Sequence, residues 1–118
     1  MRSTASSSAG GPRRSPRPGP SSRANTPIAT ARDELVRVYL VNVLEYDLIN
    51  SFHLHGNLFD YFPTGTSPRP SELTDTIMLC QGQRGILEWR FPHAGRFMFH
   101  AHQSEFTELG WQGMFEVS

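Results

Sequence analysis

The chain has 118 residues, and its 11 basic side chains balance its 11 acidic ones to a formal charge of zero. That is the length of one domain. No run of about 18 apolar residues is present to span a membrane, and the single cysteine, Cys80, excludes an intramolecular disulfide framework and any multi-thiolate metal site.

The zero charge averages two unlike pieces. Residues 1–32 carry six arginines and no acid, giving +6, whereas residues 33–118 carry the other five arginines against all 11 acids, giving 5 − 11 = −6. The first piece is rich in Arg, Ser, Pro and Gly, holding five of the nine prolines and none of the aromatics. Such a segment buries too little apolar surface to offset the entropy of ordering, so residues 1–32 are read as a disordered tail joined to a domain over 33–118. The tail lacks the apolar core of a secretory signal, and Ser15-Pro16-Arg17-Pro18 follows Arg13-Arg14 where a twin-arginine signal needs an apolar stretch. A basic arm for nucleic acid would interleave aromatics with its arginines; none are present, and no nucleic-acid partner is expected.

From Leu35 onward the texture is that of short strands between turn signals. Leu35–Leu44 reads as a buried strand, and Phe52–Phe62 as an extended stretch bent at Gly56 and Asn57. Pro63–Pro70 is a loop, Thr74–Cys80 a strand, and Gln81–Gly85 a turn. Ile86–Phe91 alternates, with Leu87, Trp89 and Phe91 on one face and Glu88 and Arg90 on the other. After a Pro92–Gly95 turn that exposes His93, Arg96–His102 is a strand, Ser104–Leu109 one helical turn, and Gly113–Ser118 a last strand. Cys80 reads as a small buried hydrophobe, and Trp89 and Trp111 as packing residues. About six short strands without a long helical period predict an all-β sandwich, short of the usual seven or eight strands and so lacking an edge.

Four of the five histidines form two His-x-His pairs, His53-Leu54-His55 and His100-Ala101-His102. On a strand, residues i and i+2 share a face about 6.5–7 Å apart, so each pair can converge on one metal ion or straddle two. Burying four imidazoles without partners would be costly, which favours a metal site over ordinary surface histidines. Phe97, Phe99 and Ala101 then look the opposite way, toward a core, while Met98 shares the histidine face.

These residues carry a resemblance. Asn50-Ser-Phe-His-Leu-His-Gly56, Thr74-Asp-Thr76, Gly95-Arg-Phe-Met-Phe-His-Ala-His102 and Gly113-Met114 are similar to the last cupredoxin domain of a multicopper oxidase of the laccase-like and ceruloplasmin-like group, over Val36–Val117. The resemblance implies a Greek-key β-sandwich, possessing all but its first strand. It also implies copper: two domains each give two His-x-His motifs, and eight imidazoles hold a trinuclear cluster that reduces dioxygen to water. His53 corresponds to a type 2 copper ligand, and His55, His100 and His102 to ligands of the paired type 3 coppers. The implied partners are dioxygen and another cupredoxin domain, in cis or in trans, carrying the type 1 copper and the other two motifs. Proteins of this family are usually exported, although this chain shows no signal.

The type 1 copper itself has no ligands here. Asn50 stands where the family has its first histidine, Ala101 where it has cysteine, and Phe106 where it has a further histidine, so Met114 has no copper to cap. The isolated chain is therefore expected to show little or no oxidase turnover, with the reducing substrate bound elsewhere. Asp75, Glu105 and Asp60 are candidate proton donors, Glu105 because it lies three residues past His102. Two other readings compete. One is a cupin-like single-metal enzyme, although no glutamate follows the first pair. The other is a non-catalytic copper-binding fragment of an oxidase.

Overall fold

The computed structural model describes residues 26–118; the disorder expected of residues 1–25 lies outside the described residues. Nine strands and one short helix follow in order. They are β1 Ile28–Thr30, β2 Val36–Val41, β3 Ile49–Leu54, β4 Phe59–Pro63, β5 Glu72–Thr74, β6 Thr76–Cys80, β7 Arg84–Trp89, β8 Gly95–His100, helix α1 Ser104–Glu108 and β9 Gln112–Val117. One sheet has the order β1-β9-β8-β3-β6 and the other β2-β7-β4-β5. Every pairing is antiparallel except β1 with β9. The chain passes between sheets at most connections, which gives the expected all-β sandwich with crossed, Greek-key connectivity.

Alternation builds the core. Phe52 and Leu54 of β3, Ile77 and Leu79 of β6, and Phe115 and Val117 of β9 face Phe59 and Tyr61 of β4 and Leu87 and Trp89 of β7. Leu54, Phe59, Leu87 and Phe91 are sealed completely from solvent. The rings interlock edge to face: Trp89 and Phe115 have centroids 5.4 Å apart at 88°. Phe97 and Phe99 of β8 pack against this core, as their parity predicts.

Four expectations change. Strand β1 lies inside the stretch 1–32 assigned to the tail and supplies the edge thought to be missing, so the folded unit reaches past residue 33 toward the N-terminus. Its three residues are stabilised by backbone pairing with β9 (Ile28 opposite Phe115), which needs no apolar composition. Among the described residues the sandwich has nine strands rather than six: β1 is one addition, Phe52–Phe62 splits between β3 and β4, and β5 adds a three-residue strand before Asp75. Leu35–Leu44 forms a half-buried rather than buried strand, with burial alternating along Val36–Val41. Cys80 is exposed, because Ile77 and Leu79 face inward and residue 80 therefore faces out.

Candidate metal centre

Sheet register assembles the histidines. On β3, His53 lies opposite Thr76 of β6 on one side and His100 of β8 on the other. Leu54, the residue between His53 and His55, is buried in the core, which turns both imidazoles to the outer face. Ala101 plays the same part between His100 and His102 and is fully buried. Immediately after His55 the backbone turns at Gly56 with φ +68°, a conformation that costs an L-residue roughly 1–2 kcal/mol. The turn ends the strand at the ligand position, and the His55 N–H donates to the Met98 carbonyl across to β8.

The four rings converge. His53 stands 4.9 Å from His55 and 5.4 Å from both His100 and His102, centroid to centroid. His55 and His100 are 5.0 Å apart, and His100 and His102 5.8 Å. Among the described residues, His53, His55 and His100 present ring nitrogens that all lie within 4.8 Å of one another. His102 belongs to the same cluster of rings but not to that tight trio. Its backbone N–H donates to Ser51 Oγ at 2.7 Å, and Gln103 Nε2 donates to the Ile49 carbonyl at 3.1 Å. Both contacts fasten the chain after β8 onto β3.

Hydrogen bonds fix which nitrogen is free on His100 and His53. His100 Nδ1 lies 2.6 Å from the Ala101 carbonyl oxygen, which can only accept, so Nδ1 carries the proton and Nε2 keeps a lone pair. His53 Nδ1 meets the Asp75 carbonyl oxygen at 3.1 Å and the Thr76 hydroxyl at 2.7 Å. The Nε2 atoms of His55 and His100 are 2.9 Å apart. In the metal-free protein His100 Nε2, bearing the lone pair, accepts from His55 Nε2 in this contact, and both atoms would be available to a metal ion once that proton leaves. The donor set, all-imidazole, convergent and open on one side, fits copper. Although exposed, the His55 ring is partly desolvated, which together with repulsion from His53, His100 and His102 when charged lowers its pKa below the usual 6.5.

The candidate acids separate. Asp75 reaches the cluster, its Oδ1 3.9 Å from His53 Nδ1 and accepting from the Thr76 hydroxyl at 3.0 Å. Glu105 sits exposed in the first turn of α1, with no hydrogen bond or ion pair to a histidine among the described residues. Asp60 is on β4 in the other sheet, opposite Glu88 and Leu73, and is not brought to the histidines. His93 is exposed in the β7–β8 turn, away from the cluster in sequence and register. Sequence reasoning missed Thr76 and Ser51 as supports of His53 and His102. Thr76 lay within a motif already noted, but only the β3–β6 register reveals its contact.

The sequence matches the family model for multicopper oxidases over residues 3–118. The chain belongs to the multicopper oxidase family. Curated relatives include the multicopper oxidase mco of Staphylococcus epidermidis, 33% identical over 70 residues, and that of Staphylococcus aureus, 34% identical over 71; each alignment covers 57% of this chain and 16% of the relative. A solved multicopper oxidase structure superposes with TM-score 0.77 at 67% identity, covering 78% of this chain and 32% of that one. The copper nitrite reductase of Nitrosomonas europaea shares the fold, with TM-score 0.73 at 19% identity over 82% of this chain and 34% of that one. The chain thus spans about a sixth of these curated relatives and about a third of the solved multicopper oxidase chain. It is a cupredoxin-like domain of a multicopper oxidase, an oxidoreductase family that uses copper. That membership sets the cupin reading aside.

Proposed function

We propose that this domain supplies four of the imidazoles of a trinuclear type 2/type 3 copper cluster that reduces dioxygen to water. The observation that carries the reading is the convergence of His53, His55 and His100 within 4.8 Å, with His102 beside them, on an outer face of the sheet. His55 and His102 are exposed and His53 and His100 half-buried, so the cluster opens toward whatever packs on that face. The partner in this reading is a second cupredoxin domain, in cis or in trans, that carries a type 1 copper and two more His-x-His motifs. Neutral imidazoles suit copper, and bound copper ions supply electrons to dioxygen. The chain's own residues hold the ligand rings in place and exclude bulk water from their inner side. Asp75, its Oδ1 3.9 Å from His53 Nδ1, is the candidate proton donor that approaches the cluster; Glu105, exposed on α1, is the second candidate.

Copper(II) is added to the 118-residue chain, alone and with a multicopper oxidase domain that bears a type 1 copper and two His-x-His motifs. Copper content and oxygen uptake with a phenolic reductant are measured. The expected result is copper binding without appreciable turnover by the chain alone, and oxygen uptake by the mixture. Turnover by the isolated chain at the rate of an intact oxidase, or no copper bound at all, contradicts the reading. The same trio is compact enough for one ion, so a stoichiometry that stops at one copper in the mixture, with no oxygen uptake, favours the non-catalytic copper-binding reading instead.

A further inference from the structure

The Thr76 hydroxyl has one proton and two polar neighbours. Its Oγ1 lies 3.0 Å from Asp75 Oδ1 and 2.7 Å from His53 Nδ1. The carboxylate can only accept, so the hydroxyl proton goes to Asp75, and the Thr76 oxygen must accept from His53. The Asp75 main-chain oxygen, 3.1 Å from the same Nδ1, is likewise an acceptor only. Both contacts demand a proton on Nδ1, which leaves the lone pair of neutral His53 on Nε2.

We infer that Thr76, oriented by the Asp75 carboxylate, is a positioning residue that locks His53 in the Nδ1–H tautomer and aims its Nε2 at the metal. The inference rests on the copper-site reading above, and it assigns Asp75 a role besides proton supply. Main-chain geometry makes the lock stiff. Thr76 faces His53 directly in the β3–β6 ladder, and the Leu54 N–H donates to the same Asp75 carbonyl at 2.9 Å, which fixes that oxygen. The Thr76 backbone is held from the other side, its N–H donating to Thr74 Oγ1 and its carbonyl accepting from that hydroxyl. Hydrogen-bond partners of this kind typically change metal affinity by 10–100-fold when removed.

The test has two arms on the full 118-residue chain. In the metal-free protein, long-range proton–nitrogen NMR of the His53 ring reads the tautomer directly, whether or not copper binds. Nδ1–H is expected to dominate; a dominant Nε2–H form overturns the inference even if the copper-site reading stands. In the second arm, copper(II) affinity is measured against a competing chelator. Thr76→Val is expected to lower it roughly tenfold or more and to populate both tautomers, while Thr76→Ser, which keeps the hydroxyl, restores both readouts. Unchanged affinity with the Nδ1–H tautomer retained in Thr76→Val overturns the assignment. If the valine variant does not fold, the tautomer of the unaltered protein still decides.

Discussion

At the scale of single residues, the His55 ring has a lowered pKa, chiefly through partial desolvation and also because His53, His100 and His102 repel its charged form. The sign follows from proton linkage. An unfolded chain takes up a proton on this ring at about 6.5, whereas the folded chain does so only at lower pH. Between those values the unfolded state holds more protons, so stability falls as pH drops through that window and this ring contributes no slope above it. The expected measurement is a urea midpoint for the metal-free chain that declines below about pH 6.5 more steeply than for His55→Gln. Equal slopes for the two proteins contradict the shift. For metal binding the same lowering is useful, since a neutral ring persists to lower pH and protons compete less at that nitrogen.

At the scale of elements, β8 and β9 show how the core steers the ligands. Phe99 lies opposite Gly113 in the ladder and only one residue from His100. A methyl group built on Gly113 would enter the Phe99 ring, touching both its Cζ and Cε1 atoms. Phe99 cannot retreat freely, because it stacks on Phe52 at 5.7 Å and meets Trp111 and Phe115. Gly113→Ala is therefore expected to cost about 1–3 kcal/mol by overpacking. It is also expected to weaken copper binding by displacing β8, although it removes no ligand. A denaturation midpoint and a copper titration check it together; lost stability with unchanged affinity would show that the core and the metal face are uncoupled.

The same elements show what local pattern can convey. Strands with strict alternation, such as Arg84–Trp89 with Leu87 and Trp89 inward, are legible because side-chain parity depends on neighbours two positions away. The His-x-His pairs are legible for the same reason, and their shared outward face follows from the buried Leu54 and Ala101 between them. Parity would equally have exposed Cys80, two places beyond Met78 on the outer face of β6, had the apolar run not been read as wholly buried. Strands β1 and β5, three residues each, are too short to show a period and exist through pairing with β9 and β4. The Thr76–His53 contact joins residues 23 apart in sequence. It is set by β3–β6 register, which depends on the whole sheet and leaves no local trace.

For the whole molecule, the position of its one thiol decides which kinds of copper site it can form. A blue copper site needs a cysteine thiolate beside histidine, and Cys80 is the sole cysteine. It pairs with Ile49 at the far end of the β3–β6 ladder from His53 and Thr76, four residues and roughly 13 Å along the strand. At the other relevant positions Ala101 is sealed in the core and the Asn50 side-chain oxygen accepts from the Ser51 N–H. No thiolate lies within reach of any imidazole in the cluster, so the proposed oxygen-reducing role calls for electrons from a copper held elsewhere. The copper-loaded chain is expected to lack the intense blue absorption of a thiolate-to-copper transition, and Cys80→Ser is expected to leave its absorption and spin-resonance spectra unchanged. A blue band abolished by Cys80→Ser would place a type 1 copper in this domain and remove the reason for an electron-donating partner.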